Sequence, residues 1–200
     1  MEDIYYTIEK ESQGYFKDKG SKFYAFAFHV QNDDEVKSIL TNLKKKHHSA
    51  RHYCYAWRMG TEEITYRSND DGEPSSTAGK PILGQLLSFN VTNILVIVVR
   101  YFGGTLLGVS GLINAYRNAA ADVLKNAEIV QKIIETEVSL DFTYNELAEV
   151  MNIIKQQNLT VVNTRFEEKC SLTFSVRKSE YKKIMNTFDN IYGVKIENRL

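Results

Sequence analysis

One stretch, residues 94–120 (ILVIVVRYFGGTLLGVSGLINAYRNAA), constrains the fold of this chain more than any other. The apolar run from Ile94 to Val99 predicts a buried strand, which ends at Arg100, two aromatic residues and a pair of glycines. From Gly108 onward, apolar residues recur at helical spacing, so the pattern predicts a helix with one buried face. A strand, a glycine-rich turn and a helix can together present bare backbone N–H groups to an anion. The glycine spacing matches neither of the two common phosphate-binding loops, GxGxxG and GxxxxGK[ST].

Composition limits the class of protein. The chain has 200 residues, of which 43% are apolar and 25% charged, as expected for a soluble protein of one large or two small domains. Basic and acidic residues number 25 each, so nucleic-acid binding would require a local basic patch. The start MEDIYYTIEK does not resemble a secretory leader, and the longest apolar run is far shorter than the roughly 20 residues of a membrane helix. We therefore expect a cytoplasmic protein with no membrane segment, in which Cys54 and Cys170 form no disulfide.

Alternating apolar residues predict the strands of the amino-terminal half, and a turn containing Lys17, Asp18 and Gly20 is expected to join the first two. These strands are Tyr5–Ile8, Lys22–Val30, Tyr53–Arg58, Ile64–Arg67, Ile94–Val99 and Ile129–Ile134. Asn32 or Asp33 is predicted to cap an intervening helix that ends in a run of lysines. A polar loop at residues 68–81 leads into a short helix beginning near Pro81, with Ser76 or Thr77 predicted as its cap.

A change in composition near Glu135 marks a second domain, whose periodicities predict the element order βαββαβ. This order is typical of a ferredoxin-like domain, and Ser179 is expected to cap its second helix. In the predicted strand from Cys170 to Val176, the apolar residues alternate with Ser171, Thr173 and Ser175, which disfavours base stacking on that strand.

Four strings in this order, GSKF, ARHYCYAW, SNDDGEPSSTAGKP and VRYFGGTLLGVSGL, resemble the IMPACT/YigZ family of translation-associated proteins. The resemblance implies an α+β fold in which residues 1–134 form an IMPACT-type domain similar to the second domain of ribosomal protein S5. Residues 135–200 are then the ferredoxin-like domain, which resembles domains of elongation factors. Eukaryotic relatives, as the resemblance implies, regulate translation by competing for the activator of a starvation-responsive kinase of an initiation factor, through an additional domain not found in these residues. RNA, the ribosome or a translation factor are the partners that this resemblance suggests.

An anion site is predicted where the two glycine-flanked helix starts would meet. Its candidate residues are Lys80, Arg100, Gly103, Gly104, Gly108 and Ser110, with Arg117 a weaker member about two turns into the helix. The alternative is that the glycines after Arg100 only allow the helix from Ser110 to pack tightly against the strand that precedes it.

Three carboxylates, Asp70, Asp71 and Glu73, lie close together in the polar loop. A hard cation such as Mg²⁺ prefers oxygen ligands of this kind, so they could hold a metal in the same site. In a second interpretation, Asp71-Gly72 and Glu73-Pro74 shape a solvated turn. In a third, Asp71 or Glu73 pairs with Arg100 and holds the loop against the glycine turn.

The segment from His47 to Cys54 matches no standard zinc pattern, and we predict no metal site there. His52 could donate to a phosphate or act as an acid or base, or it could be a partly buried histidine bonded to a carbonyl. Cys54 is interpreted as a small core residue.

A local basic patch, formed by Lys44, Lys45, Lys46, His47, His48 and Arg51, could contact RNA phosphates or could be a solvated helix end. Tyr53, Tyr55 and Trp57 alternate on the next strand, where they are either core residues or a stacking surface, and their regularity favours the core.

Two functional hypotheses follow. The first is a non-enzymatic regulatory or binding protein that docks on RNA, the ribosome or a translation factor through the anion-binding surface of its first domain. The second is a metal-assisted phosphate-handling enzyme that uses the loop carboxylates with Arg100. The first is favoured because no nucleophile and base can be paired from the sequence.

Overall fold

In the computed structural model, which describes residues 3–167 and 169–197, the chain divides into two units. One unit spans Tyr5–Lys132, and the other combines the residues up to Ile4 with those from Ile133 onward. No helix within the described ranges is both long and apolar enough to cross a lipid bilayer.

The amino-terminal unit is built on a five-stranded antiparallel sheet with the order β2-β3-β6-β4-β5. Two further strands, β1 and β7, pair with each other. The strands are β1 Ile4–Ile8, β2 Ser12–Asp18, β3 Ser21–His29, β4 His52–Met59, β5 Thr65–Asn69, β6 Ile94–Tyr101 and β7 Ile129–Ile133. The helices are α1 Asp33–Lys46, α2 Gly79–Ser88 and α3 Gly108–Asn126.

Side chains alternate between the two faces of this sheet, and each face has its own core. On β3, Phe23, Ala25 and Ala27 point toward α2 and α3, whose apolar residues complete one buried cluster. Val36 and Leu43 of α1 pack on the other face, against residues of β4 and β6 such as Trp57 and Ile97. Strand β6 lies in the middle of the sheet and is buried on both faces, as its unbroken apolar run predicts.

Helix α1 begins and ends where its sequence predicts. The side chain of Asn32 accepts a hydrogen bond from the Glu35 N–H at 3.0 Å, and the Glu35 carboxylate accepts from the Gln31 N–H at 2.8 Å. Three lysines occupy the last turn, where positive charge suits the helix dipole. The predicted cap and the predicted end of this helix are both confirmed.

The prediction for the start of the unit is wrong in one respect, because it omits strand β2. Lys17 and Asp18 belong to this strand, and the turn to β3 is made by Lys19 and Gly20, both with positive φ. Strand β2 lies at the edge of the sheet, and none of its residues is fully buried. Its sequence therefore shows only a weak alternation of apolar residues. It packs on α3 through Gly14, where an added Cβ would lie 2.4 Å from the Val123 nitrogen.

The carboxy-terminal unit confirms the predicted βαββαβ order, with the sheet order β11-β8-β10-β9 of a ferredoxin-like domain. Its elements are β8 Glu135–Phe142, α4 Leu147–Gln156, β9 Thr160–Phe166, β10 Cys170–Arg177, α5 Tyr181–Asp189 and β11 Lys195–Ile196. Ser179 lies within a 3-10 turn that runs directly into α5, and no side chain caps this helix, so the predicted Ser179 cap is wrong. Leu140, Leu172 and Phe188 are fully buried in the core of this unit.

Candidate functional site

Arg100 and Glu73 form a buried ion pair at the end of β6. Arg100 Nη1 donates to Glu73 Oε1 at 2.6 Å, and the two side chains are only 7% and 4% exposed. The Tyr116 hydroxyl, from α3, donates to the same carboxylate oxygen at 2.8 Å. The guanidinium carbon of Arg100 also lies 5.6 and 5.7 Å from the ring centroids of Phe23 and Phe102. Of the two carboxylates that the sequence offered as partners for Arg100, the structure therefore places Glu73 there.

This pairing changes what Arg100 can do. The Glu73 carboxylate occupies the position that an external anion would take, and it compensates the charge of Arg100 within the protein. Glu73 lies 27 residues before Arg100 in the sequence, so the pair also holds the loop that contains Glu73 against the sheet. The arrangement is therefore the third interpretation of the loop carboxylates, in which one of them pairs with Arg100 and holds the loop in place.

Cys54 and Tyr116 extend this buried network. The Cys54 thiol lies 2.9 Å from the Asp70 carbonyl oxygen and 3.3 Å from the Tyr116 hydroxyl. Burial raises the pKa of the Cys54 thiol above its usual value. The pKa of Tyr116 is also raised, mainly by burial and to a smaller extent by the neighbouring Cys54 and Glu73. Both groups therefore stay protonated at neutral pH, and Cys54 is not poised as a nucleophile.

Asp70 caps helix α2. Its carboxylate accepts hydrogen bonds from the backbone N–H groups of Ser76 at 2.8 Å, Ala78 at 3.0 Å and Gly79 at 2.8 Å. Burial acts to raise the pKa of Asp70, but these three N–H groups and the charge of Lys80 outweigh it, so the pKa is lowered.

The predicted hydroxyl cap of α2 is wrong, because the capping carboxylate comes from six to nine residues earlier in the chain. The Thr77 hydroxyl instead donates to the Pro74 carbonyl at 2.6 Å, and Ser76 adopts a positive φ of 64°. Helix α2 begins at Gly79, so Lys80 lies in its first turn and is exposed. The start of this helix already binds an anion, the side chain of Asp70.

Asp71 fastens the same loop to the start of β4. Its Oδ2 accepts from the Tyr53 N–H at 2.7 Å, and its carbonyl oxygen lies 2.9 Å from Nδ1 of His52. Since a carbonyl can only accept, His52 Nδ1 is the donor, which favours the interpretation of His52 as a histidine satisfied by a carbonyl.

The three loop carboxylates therefore serve three separate sets of protein donors. Within residues 3–167 and 169–197, no group of three or more His, Cys, Asp or Glu side chains is arranged to hold a metal ion. The geometry gives no support to a Mg²⁺ site at Asp70, Asp71 and Glu73.

The glycine turn after β6 has two parts with different roles. A Cβ at Gly103 would lie 1.9 Å from the Gly20 carbonyl carbon, so this glycine is required for the contact between two turns. Gly104 and Gly108 have positive φ and open space around them, and α3 begins without a side-chain cap or an acidic residue in its first turn. Ser110 is exposed in that turn. Arg117 is exposed farther along the same helix. An anion at this helix start stays a prediction.

The lysines and the arginine of the predicted basic patch are exposed, whereas His47 is half-buried. Lys44, Lys45, Lys46 and Arg51 are all exposed, and none has an ion-pair partner in the part of the chain that the structure describes. Lys44 Nζ lies 5.3 Å from the ring centroid of Tyr53.

The alternating aromatic residues of β4 belong to the core, as their regularity predicts. Tyr53 and Trp57 are buried in the cluster beneath α1, and Tyr55 is half-buried against it. The Tyr53 hydroxyl donates to the His47 carbonyl at 2.8 Å, so it helps to hold the end of α1 on the sheet. These residues do not form a stacking surface.

Sequence reasoning missed a different aromatic group, which we call the aromatic surface. Its members are Tyr24, Phe26, His47, Tyr101 and Phe102. The Tyr24 and Tyr101 ring centroids are 5.8 Å apart, those of His47 and Phe26 are 5.3 Å apart, and His47 Nδ1 lies 2.9 Å from the Tyr101 hydroxyl. Burial and the charge of Lys46 lower the pKa of His47.

Two cavities adjoin at the aromatic surface. The first, of about 520 Å³, is lined by Gly20, Lys22, Tyr24, His47, Tyr101 and Phe102. The second, of about 460 Å³, shares Tyr24 and His47 with it and extends along α1 to Lys46. The signal in the sequence is the second set of aromatics on β3, Tyr24, Phe26 and Phe28, which alternates with the core-facing set.

Comparison with known proteins places these features in context. The Impact N-terminal domain family matches residues 19–124, and a family described as a domain of unknown function (DUF1949) matches residues 140–193. The IMPACT family member YigZ of Escherichia coli (strain K12) is 33% identical over 151 residues, which cover 74% of each chain.

Two solved structures are also similar. A crystal structure of a hypothetical protein superimposes with a TM-score of 0.73 at 26% identity, covering 100% of this chain and 99% of the other. The protein Yih1, described as a two-domain translational regulator, is 29% identical with a TM-score of 0.38, covering 61% of this chain and 47% of its own.

Proposed function

Because this chain belongs to the IMPACT family, we propose that it is a translation-associated regulatory protein that acts by binding RNA or the ribosome. Its binding surface lies on the amino-terminal unit and centres on the exposed cations at the end of α1. The assignment to translation rests on family membership. The two buried cysteines, both unpaired, suit the reducing cytoplasm in which such a partner is found.

The observation that carries this proposal is the uncompensated charge of Lys44, Lys45, Lys46 and Arg51. The acidic residues of α1 are all in its first turn and the lysines in its last, so at 1.5 Å per residue they lie about 14–20 Å apart along the helix axis. This separation exceeds the Debye length of about 8 Å at physiological ionic strength, so the acids do not neutralise the patch. The chain has zero formal net charge, so the positive charge of this patch is a local feature that attracts phosphate groups.

Binding is favoured over the phosphate-handling alternative because the groups such an enzyme would use are committed elsewhere. Glu73 and Arg100 compensate each other, Asp70 caps α2, and Asp71 fastens its loop to β4. The exposed start of α3, with Gly104, Gly108 and Ser110, is proposed as an additional phosphate contact, together with Lys80.

Fluorescence anisotropy with a labelled structured RNA, measured over a series of salt concentrations, tests the proposal. Each lost phosphate contact reduces the slope of log K against log salt by about 1, so Lys44→Glu combined with Lys45→Glu should reduce it by about 2. The matched control is Lys182→Glu with Lys183→Glu, two adjacent exposed lysines on α5, which should leave the slope unchanged.

Co-sedimentation with ribosomes, using the parent protein and the same two double variants, extends the test to the larger partner. The absence of measurable RNA affinity at low salt, together with no ribosome co-sedimentation, would overturn the proposal. Equal losses in both lysine pairs would show that binding is not localised at the end of α1.

A further inference from the structure

The aromatic surface exists because one helix cannot cover a five-stranded sheet. Five strands spaced about 4.8 Å apart form a sheet roughly twice as wide as the ~10 Å diameter of a helix. Helix α1 packs over β4 and β6, where Tyr53, Trp57 and Ile97 are buried beneath it. Tyr24 and Phe26 of β3 lie on the same face and are only half-buried.

The rings of this surface are held in place. Tyr101 is fixed by the contact of its hydroxyl with His47 Nδ1 and packs edge-on against Tyr24, with an interplanar angle of 88°. The Phe102 ring lies against the guanidinium of Arg100, which the buried pair with Glu73 holds still, and yet Phe102 is 56% exposed. Rigid and partly exposed rings lose little conformational entropy when a flat ligand stacks on them.

The charges around the rings favour a ligand with phosphate groups. In the described part of the chain, Lys22 is the charged residue that lines the first cavity, and no acidic residue lines it. The second cavity is lined by Lys46 together with one acid, Glu11. Lys44 and Lys45 continue the positive charge along the end of α1.

We propose that the aromatic surface binds unpaired bases of single-stranded RNA, while Lys22 and Lys46 contact the phosphates on either side. Aromatic rings beside a positively charged groove are the arrangement by which proteins bind single strands without reading their sequence. A first cavity of about 520 Å³ lies in the usual size range of ligand pockets. This inference rests on the proposed RNA-binding function and specifies the form of RNA that the surface takes.

A preference for single strands follows. In an A-form duplex the bases are stacked within the helix and cannot reach the rings, so a duplex would bind only through its phosphates. Stacking contributes about 1–3 kcal/mol per base, which corresponds to a roughly 5- to 150-fold change in affinity when one stacking ring is removed.

Anisotropy with labelled oligouridine and with an RNA duplex of equal length tests the inference. Phe102→Ala should weaken oligouridine binding by about 5- to 150-fold and leave duplex binding unchanged. Tyr24→Leu should have the same effect. Tyr66→Ala is the matched control, because Tyr66 is 65% exposed on β5, at the opposite edge of the sheet, and it should change neither affinity.

The possible outcomes separate this inference from the proposed function. If the Lys44→Glu and Lys45→Glu variant loses binding while Phe102→Ala and Tyr24→Leu behave like Tyr66→Ala, the inference is wrong and the proposed function stands. Equal weakening of duplex and oligouridine by Phe102→Ala would also overturn it. If Phe102→Ala leaves RNA affinity unchanged but abolishes ribosome co-sedimentation, the occupant is a protein surface. No RNA binding by the parent protein at low salt would reject this inference, and the additional absence of ribosome co-sedimentation would reject the proposed function as well.

Discussion

Replacing Glu73 by alanine should strongly destabilise the amino-terminal unit. The substitution leaves the Arg100 guanidinium, whose side chain is only 7% exposed, without a counter-charge, and it removes the acceptor of the Tyr116 hydroxyl. Breaking a buried ion pair by removing one partner costs about 3–5 kcal/mol. For a unit of this size, such a loss corresponds to a decrease in Tm of about 10–20 °C.

Urea unfolding followed by tryptophan fluorescence measures this cost directly. The chain contains one tryptophan, Trp57, which is buried in the same unit as the ion pair. Asp34→Ala is the control, because Asp34 and Lys37 form an exposed pair whose side chains are 90% and 74% exposed. Solvent screens an exposed pair and leaves it with little effect on stability, so the control variant should unfold close to the parent protein.

A double variant tests whether the cost comes from the unpaired charge. Glu73→Leu combined with Arg100→Met replaces both charges by apolar groups, which is often close to neutral for a buried pair. We expect this variant to be more stable than Glu73→Ala. A decrease in unfolding free energy below about 1 kcal/mol for Glu73→Ala would refute the reasoning. So would a double variant whose loss of unfolding free energy equals the sum of the losses measured for Glu73→Leu and Arg100→Met separately.

Three further predictions concern individual residues. Because the folded pKa of Asp70 is lowered, its stabilising effect is complete above the unfolded pKa of about 3.9 and is lost as the pH falls through the folded value. Asp70→Asn should therefore destabilise the protein at neutral pH and weaken the pH dependence of unfolding in that acidic range. Gly103→Ala should destabilise the protein by more than about 1 kcal/mol, because the new Cβ meets the backbone of Gly20. Gly84→Ala should instead stabilise the protein by up to ~1 kcal/mol, because its Cβ meets nothing within 4 Å and alanine favours the interior of α2. The buried Cys54 thiol, with its raised pKa, should resist alkylation by iodoacetamide until the protein unfolds.

Each of these expectations has a contrary result. An Asp70→Asn variant whose stability decreases with acid as steeply as that of the parent would show that another group governs this pH dependence. Equal effects of the two glycine substitutions would contradict the close contact at Gly103. Fast labelling of Cys54 in the native protein, followed by mass spectrometry of the peptide, would show that its site opens readily.

Much of the fold could be predicted because its signals are local. The cap at Asn32, the apolar run of β6 and the helical spacing after Gly108 are properties of neighbouring residues. Strand β2 was missed because an exposed edge strand has a weak apolar alternation. The cap of α2 was assigned to the nearest hydroxyls, although the carboxylate of Asp70 reaches it from outside the helix.

The candidate site depended far less on local pattern. The sequence by itself determined the family strings, the element order of the carboxy-terminal unit and that of the amino-terminal unit apart from β2. It also showed that acids, cations and glycines occur in the segments around Arg100. Only the tertiary structure decided that Glu73 neutralises Arg100, that Gly103 serves a backbone contact, and that Tyr24 and Tyr101 remain accessible beside α1. The physical reason is that pairing, close approach and exposure are set by residues distant in sequence, whereas periodicity and capping depend on near neighbours.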